Sequence, residues 1–505
     1  MNNTAGLEDI LVKHYKRYPC MQIQDMVKLI YQNEFAGGHL INDENDSLSR
    51  LREEYSIVTG KCKLIGYESD SRENGRGCGS YEYKLAGTSE RIHKSEGRCA
   101  SFDGDRCGTA DRDRCGTADR DRCGTADRDR CGTAGRDRCG TAGRDRSETA
   151  DRDRCGTTGR DRCGTADRDR CGPAGRDEPS PAGEGLHISA GIDEHITGTN
   201  CDEASGSERV FEDIGNGLYR IHLAELDSHT IRLETVNKFF ICTAKSKRGT
   251  VQSFEDKLEV LRSCCNKGTL PFAIDELDEY ILAYKQQGYP PVSHSGSYRN
   301  INNPAYRIVL ADFCRYFKIF CQIDHLLTRV ESEQYTKDHI TVAVDGNSCS
   351  GKSSLAALLS EIYDCNVFHM DHFFLTPELR TNERLGEIGG NVDYVRFKNE
   401  VINGLESRCE FTYRIYDCST KTIDRAVKVK PKNLNIIEGS YSMHPTLSEN
   451  YDLKIFLSVE ADEQSRRIFR RNGPVMHKRF LEEWVPKENK YFEEFHIRSK
   501  SDIVL

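Results

Sequence analysis

Residues 341–354 read Thr-Val-Ala-Val-Asp-Gly-Asn-Ser-Cys-Ser-Gly-Lys-Ser-Ser, and an apolar-rich stretch follows from Leu355 to Ile362. This order constrains the fold more than any other feature of the chain. A β-branched run, Ile340 to Val344, predicts a buried strand that enters a tight loop and leaves through a helix beginning near Lys352. Gly346 and Gly351 admit backbone angles that other residues resist. Successive N–H groups along Gly346-Asn347-Ser348-Cys349-Ser350-Gly351-Lys352-Ser353-Ser354 can then turn inward around phosphates. Lys352 brings a point charge to the β- and γ-phosphates, the Ser353 hydroxyl suits Mg²⁺, and the positive helix end adds to both. The expected ligands are therefore ATP and Mg²⁺. A plain Gly-Ser turn is the competing reading, and the strand–loop–helix order argues against it.

At 505 residues the chain has room for several domains. A net charge of −9 gives no general attraction to nucleic acid. No apolar run is long enough to span a bilayer, and Met1 to Asp9 lacks a basic-then-apolar leader. A soluble, cytoplasmic protein with neither a nucleic-acid nor a membrane partner is expected. The 22 cysteines suggest a disulfide scaffold, but eight belong to a repeat and the others are scattered. A nucleotide-holding loop also implies a reducing compartment, where thiols stay reduced.

From Arg106 to Asp177 an octapeptide, mostly Arg-Cys-Gly-Thr-Ala-Asp-Arg-Asp, occurs nine times. It contains no large apolar residue, so burial cannot offset chain entropy, and a structureless insertion is expected. Cys107, Cys115, Cys123, Cys131, Cys139, Cys155, Cys163 and Cys171 recur in register, and the sixth copy carries Ser147 instead. A metal or redox role is the alternative, although the spacing does not match zinc patterns. On either side the apolar residues recur at helical spacing. This holds in Leu7 to Tyr55, Arg209 to Leu226, Phe254 to Cys264, Ile274 to Gln287 and Pro304 to Cys321. The expected organisation is a mostly helical N-terminal domain in two parts, 1–60 and 208–330, interrupted by the insertion 61–207. A domain over 338–505 follows it.

That last domain alternates strand and helix, as a doubly wound parallel α/β sheet does. Strands are expected at Ile340 to Val344, Asn366 to Met370, Asn433 to Ile437, Leu453 to Val459 and Asp502 to Leu505. Asp371 and Glu438 then fall at strand C-termini, where such sheets bind ligands.

With the phosphate loop, four segments resemble the uridine kinase family of P-loop kinases. They are Met370-Asp371-His372-Phe373-Phe374, Tyr416-Asp417, Ile436-Ile437-Glu438-Gly439-Ser440 and Arg466-Arg467-Ile468-Phe469-Arg470-Arg471-Asn472-Gly473. The resemblance covers about the last third of the chain. It implies that Asp371 accepts the proton of a ribose 5′-hydroxyl and joins the metal shell with Ser353 and Glu438. It implies further that Asp393 holds ribose hydroxyls and that Tyr416 lies beside the base. Arg466, Arg470 and Arg471 would close over the triphosphate. Phosphoryl transfer asks for positioning and charge cancellation, which one lysine, one metal and mobile arginines supply. Each residue has a plainer reading: a cap for Asp371, a turn acid for Glu438, a solvated helix face for the arginines. Lys421 stands where the family usually carries a base-reading histidine. Another nucleoside, a sugar phosphate or a vitamin precursor therefore fits almost as well as uridine. A nucleotide-driven switch without an acceptor is the competing function, and a homo-oligomer stays open.

In the N-terminal part, glycine- or proline-rich segments carry isolated histidines, His39, His222 and His294. Arg220, Tyr298, Arg299 and Arg307 lie near them in sequence. Such loops can converge on an anion or a metal, although no local metal-ligand spacing is present. Separate packed or surface histidines are the plainer alternative. Deleting Gly104 to Asp177 is expected to leave soluble yield, thermal unfolding midpoint and ATP affinity near those of the parent. Loss of soluble protein would overturn the structureless reading.

Overall fold

The computed structural model describes residues 6–37, 43–61, 207–247, 249–332 and 337–505, together with Thr4. The octapeptide repeat and His39 lie outside the described residues.

The N-terminal half begins with helices α1 (Leu7–Arg17), α2 (Ile23–Phe35) and α3 (Glu44–Val58), and α4 (Ser207–Val210) follows the insertion. Asp43 starts α3 by accepting from the amides of Asn45 and Asp46. The expectation of a helix over Arg209 to Leu226 is overturned. Strands β1 (Phe211–Gly215) and β2 (Leu218–His222) form an antiparallel hairpin, and a 3₁₀ turn covers Leu223–Ser228. The cause is Asn216-Gly217, both with positive φ (57° and 67°), which makes a tight hairpin turn and ends any helix. Helices α5 (Leu233–Ser246), α6 (Val251–Asn266), α7 (Ile274–Gln286) and α8 (Gly296–Asn302) come next. Pro304 to Cys321 also departs from the expected helix. It opens with β3 (Tyr306–Leu310) before α9 (Ala311–Arg315) and α10 (Phe317–Glu331). β3 pairs with β2, so the small sheet runs β1-β2-β3.

The C-terminal half has the expected α/β architecture. Its strands are β4 (Ile340–Gly346), β5 (Cys365–His369), an antiparallel pair β6 (Phe411–Asp417) and β7 (Thr422–Val429), β8 (Leu434–Glu438), β9 (Leu453–Leu457) and β10 (Ile503–Val504). The helices are α11 (Lys352–Ile362), the short α12 (Asn382–Gly386), α13 (Tyr394–Phe397) and α14 (Asn403–Ser407), then α15 (Ala461–Arg479) and α16 (Val485–Glu494). Five strands form a parallel sheet in the order β10-β9-β4-β8-β5. Every residue of β4 is buried, as a central strand covered on both faces must be. α15 is broken at Gly473, where φ 75° and ψ 175° precede Pro474.

One apolar cluster crosses the proposed boundary near residue 330. It joins Phe239, Phe313 and Phe320 to Ile340, Val342, Leu355, Leu359 and Ile362. Phe239 stacks on Phe313 at 4.3 Å and meets Phe320 edge-on at 4.6 Å. Tyr363, just past α11, donates from its hydroxyl to Asp324 of α10 at 2.9 Å. Burial pushes that Asp324 carboxyl up to about 6. A shared core predicts shared unfolding. Phe320→Ala is expected to destabilise both halves together by ~3–5 kcal/mol, read as one shifted denaturation curve by near-UV and far-UV signals. Two separated transitions, with only one moved, would refute it.

Candidate functional site

β4 carries the chain to Gly346 at the centre of the sheet's C-terminal edge. A Cβ on Gly346 would stand 2.0 Å from the Leu457 carbonyl oxygen of β9, and its φ is 140°, so only glycine fits. The loop then turns on itself. The Asn347 amide donates to the Leu457 carbonyl (3.2 Å), and the Ser350 amide donates to the Asn347 carbonyl (3.1 Å). Gly351, with φ 103°, starts α11. Among the described residues the amides of Cys349, Gly351, Lys352 and Ser353 donate to no partner, which leaves a cradle of donors at a helix N-terminus. Lys352 folds back over it, its Nζ donating to the carbonyls of Gly346 and Asn347 at 2.9 Å each.

Register brings the two acids to this edge. Glu438, the last residue of β8, pairs across to Val344 of β4 and to His369 of β5. The Ser353 hydroxyl lies 3.2 Å from both Glu438 oxygens, and His369 Nδ1 lies 2.5 Å from Oε1. Gly439, with φ 134°, lets the following turn approach Met370; a Cβ there would stand 2.8 Å from that of Met370. This fixes the 3₁₀ turn Met370–Phe373 and hence Asp371. Asp371 is accessible but recessed. The surrounding protein first, and the Glu438 carboxylate second, push its carboxyl above the usual range. Among the described residues no group of three His, Cys, Asp or Glu is placed to hold an ion unaided. Ser353, Glu438 and Asp371 nevertheless form an all-oxygen set suited to Mg²⁺, which takes few protein ligands and completes its shell with phosphate and water.

Several residues that grip the loop were not legible in the sequence. Asp345, fully buried, accepts from the Gly346 amide (2.7 Å), the Met443 amide (2.9 Å) and the Tyr491 hydroxyl (2.8 Å). Burial dominates and pushes its carboxyl up to about 6 despite these donors. Glu488 of α16, also buried, accepts from the Ser348 amide (3.0 Å), the Ser348 hydroxyl (2.6 Å) and the Ser440 hydroxyl (2.8 Å). From α15, Gln464 donates to the Ser348 carbonyl (3.1 Å) and Arg467 to the Cys349 carbonyl (3.2 Å). Residues 464, 467 and 471 share one helix face, and that spacing was the available signal. Of the expected arginines, Arg471 acts electrostatically on Cys349 and Asp371. Arg466 is 65% exposed and pairs with Glu463, whereas Arg470 sits one turn beyond it on the same helix.

On the acceptor side, Asp393 caps α13, accepting from the Arg396 amide at 3.0 Å. Arg396 lies over the Phe373 ring (4.3 Å) and donates to the carbonyls of His372 and Arg414. Tyr416 is only 2% exposed, and its hydroxyl accepts from Arg380 (3.2 Å). Lys421 is exposed in the β6–β7 turn with φ 61°. In the other half, the structure gathers His222, His294, Arg220 and Tyr298 around Tyr306 but leaves Arg299 exposed and Arg307 paired with Glu54.

Hydrogen bonds to a carboxylate stabilise by ~1.5–3 kcal/mol. Glu488→Ala is accordingly expected to speed amide exchange at Ser348 by tenfold or more while α11 stays protected, measured by hydrogen–deuterium exchange; unchanged exchange at Ser348 would sink this account.

No protein-family model matches the chain, and neither does any curated protein. Among solved structures it is similar to one described as a possible uridine kinase from Bacillus stearothermophilus. That match has 20% identity and a TM-score of 0.28, and covers 36% of this chain and 99% of that one. It is similar also to a Thermus thermophilus protein (20% identity, 33% and 87% coverage, TM-score 0.20). A third match is a shikimate kinase from Acinetobacter baumannii bound to shikimate (16% identity, 33% and 83% coverage, TM-score 0.21).

Proposed function

We propose that residues 338–505 form an ATP- and Mg²⁺-dependent small-molecule kinase whose acceptor is a hydroxyl group, with the 5′-hydroxyl of a nucleoside as the first candidate. The observation that carries this reading is the shared sheet edge. Unpartnered loop amides, Lys352, the Ser353–Glu438 pair and recessed Asp371 all face one another there. A switch needs a nucleotide cradle and a metal; it does not need an acid of that set left accessible to a second substrate. Asp371 supplies that acid, and its position suits a group that accepts a hydroxyl proton.

In this mechanism the loop amides and Lys352 hold the phosphates, and Lys352 exchanges its two carbonyl partners for phosphate oxygens. Mg²⁺, when bound, neutralises charge on the β- and γ-phosphates, and Ser353, Glu438 and Asp371 are the residues that would hold it. His369 Nδ1 holds Glu438 Oε1 at 2.5 Å and so orients the carboxylate that would serve the metal. Asp371 orients the acceptor hydroxyl and takes its proton. Arg467 and Arg471, on the helix already docked to the loop, offset charge at the transferring group.

The acceptor class follows from a screen of purified protein, ATP and Mg²⁺ against nucleosides, sugar phosphates and vitamin alcohols, with mass detection of product. Asp371→Asn is expected to lower turnover by at least a hundredfold while ATP binding changes less than threefold. Turnover at the parent rate would remove Asp371 from its role. Acceptor-independent hydrolysis with no phosphorylated product would favour the switch.

A further inference from the structure

One side chain of the N-terminal half reaches the phosphate loop. Tyr316 stands at the junction of α9 and α10, with φ −99° and ψ 12°. Its amide donates to the Asp312 carbonyl (3.0 Å), and its own carbonyl accepts from the amides of Ile319 (2.9 Å) and Phe320 (3.3 Å). Its backbone is therefore held from both sides. α10 is held in turn against α11, because Asp324 accepts from Tyr363 and because Phe320, Leu355 and Leu359 share one apolar cluster. This packing brings the start of α10 beside the start of α11, where the unpartnered loop amides are.

The contact is made by the Tyr316 hydroxyl. It lies 3.6 Å from the position a Cβ on Gly351 would take, and apart from the adjoining residues no other atom of the described residues comes within 4 Å of that position. Tyr316 is only 5% exposed, yet its hydroxyl has no hydrogen-bond partner among the described residues. The Oγ of Ser350, next to Gly351 in the loop, is a buried atom without a partner as well. A buried phenol ordinarily finds a partner for its one polar atom, since leaving it unmet costs desolvation. Phenylalanine would fill the same space without that cost, so the hydroxyl is the part that packing does not explain.

The charges around this hydroxyl suit an anion. The Arg315 guanidinium lies 5.3 Å from the Tyr316 ring centre, and Arg315 is exposed and makes no ion pair among the described residues. From the loop side Arg467, which donates to the Cys349 carbonyl, also acts on Tyr316. Burial first, with Asp312 in the same sense, pushes the phenol up, while Arg315 and Arg467 pull against it. The hydroxyl therefore keeps its proton and serves as a donor. It stands beside the open amides of Gly351 and Lys352, on the part of such a loop that cradles the α- and β-phosphates.

We propose that the N-terminal half completes the nucleotide site, with the Tyr316 hydroxyl donating to an α- or β-phosphate oxygen of the nucleotide and Arg315 adding positive charge on the same side. This rests on the nucleotide-binding part of the kinase reading and goes beyond it, because the donor comes from outside residues 338–505. Tyr316 then serves the affinity for ATP and ADP alike and takes no part in the acceptor chemistry.

The test uses the full chain and Tyr316→Phe, which removes one oxygen that no described protein group uses. Binding of ATP and of ADP, each with Mg²⁺, is measured by calorimetric titration, and the unfolding midpoint is measured without nucleotide. The midpoint is expected to match that of the parent or rise slightly. Both nucleotides are expected to bind about tenfold more weakly, as for the loss of one hydrogen bond to a charged group. Arg315→Gln is expected to weaken both by about threefold, and by less in high salt. Parent-like affinity in Tyr316→Phe, where the parent chain binds ATP, overturns the proposal and leaves the kinase reading intact. A loss confined to ATP, or weaker binding together with a lowered nucleotide-free midpoint, overturns it too. Failure of the parent chain to bind either nucleotide overturns the kinase reading and this proposal with it.

Discussion

The backbone contact between β9 and Gly346 is the constraint from which the C-terminal site follows. The Leu457 carbonyl occupies the space a side chain at 346 would need, and the next amide bonds to that same carbonyl. The chain must therefore leave the sheet at this point, turn, and restart as α11. With β4 in the middle of the sheet, the turn lies between β8 and β9, where strand connections diverge to opposite sides. The cradle, the helix end and the two acids are then neighbours by topology, although Ser353 and Glu438 are far apart in sequence.

Charge is distributed unevenly around this cradle. Asp345, Glu438 and Glu488 are buried within or against it, and Asp371 adds a recessed fourth carboxyl. Lys352 spends its donors on loop carbonyls, and Glu488 occupies the Ser348 amide. The loop is thus internally satisfied at one end and open at the other. On the proposed kinase reading, a triphosphate at the open end would compete with the Gly346 and Asn347 carbonyls for Lys352. α15 and α16 touch the loop through Gln464, Arg467 and Glu488.

The N-terminal half contributes to the same core. Tyr316 reaches the loop itself, its hydroxyl 3.6 Å from where a Gly351 Cβ would stand. The apolar cluster that spans α5, α10, β4 and α11 gives the two halves a common packing interface. Around Arg220, by contrast, buried charge is arranged at a cost in desolvation.

The amino-acid sequence alone determined the parallel α/β half, its five strands to within a residue or two, the phosphate-loop pattern and the strand-end acids. The reason is local. A strand, a glycine-rich turn and a helix in succession leave marks in periodicity and spacing that need no partner to be read. Tertiary structure alone decided the rest. The β1–β2–β3 sheet was invisible because β3 pairs with β2 across more than eighty residues, and helical spacing in short apolar runs hid it. Glu488, Asp345 and Tyr491 became site residues only when α16 folded over the loop. His14 and Glu212 became partners only when α1 met β1, because a buried charge acquires its meaning from the neighbours that desolvate it, and those are set by packing and not by spacing along the chain.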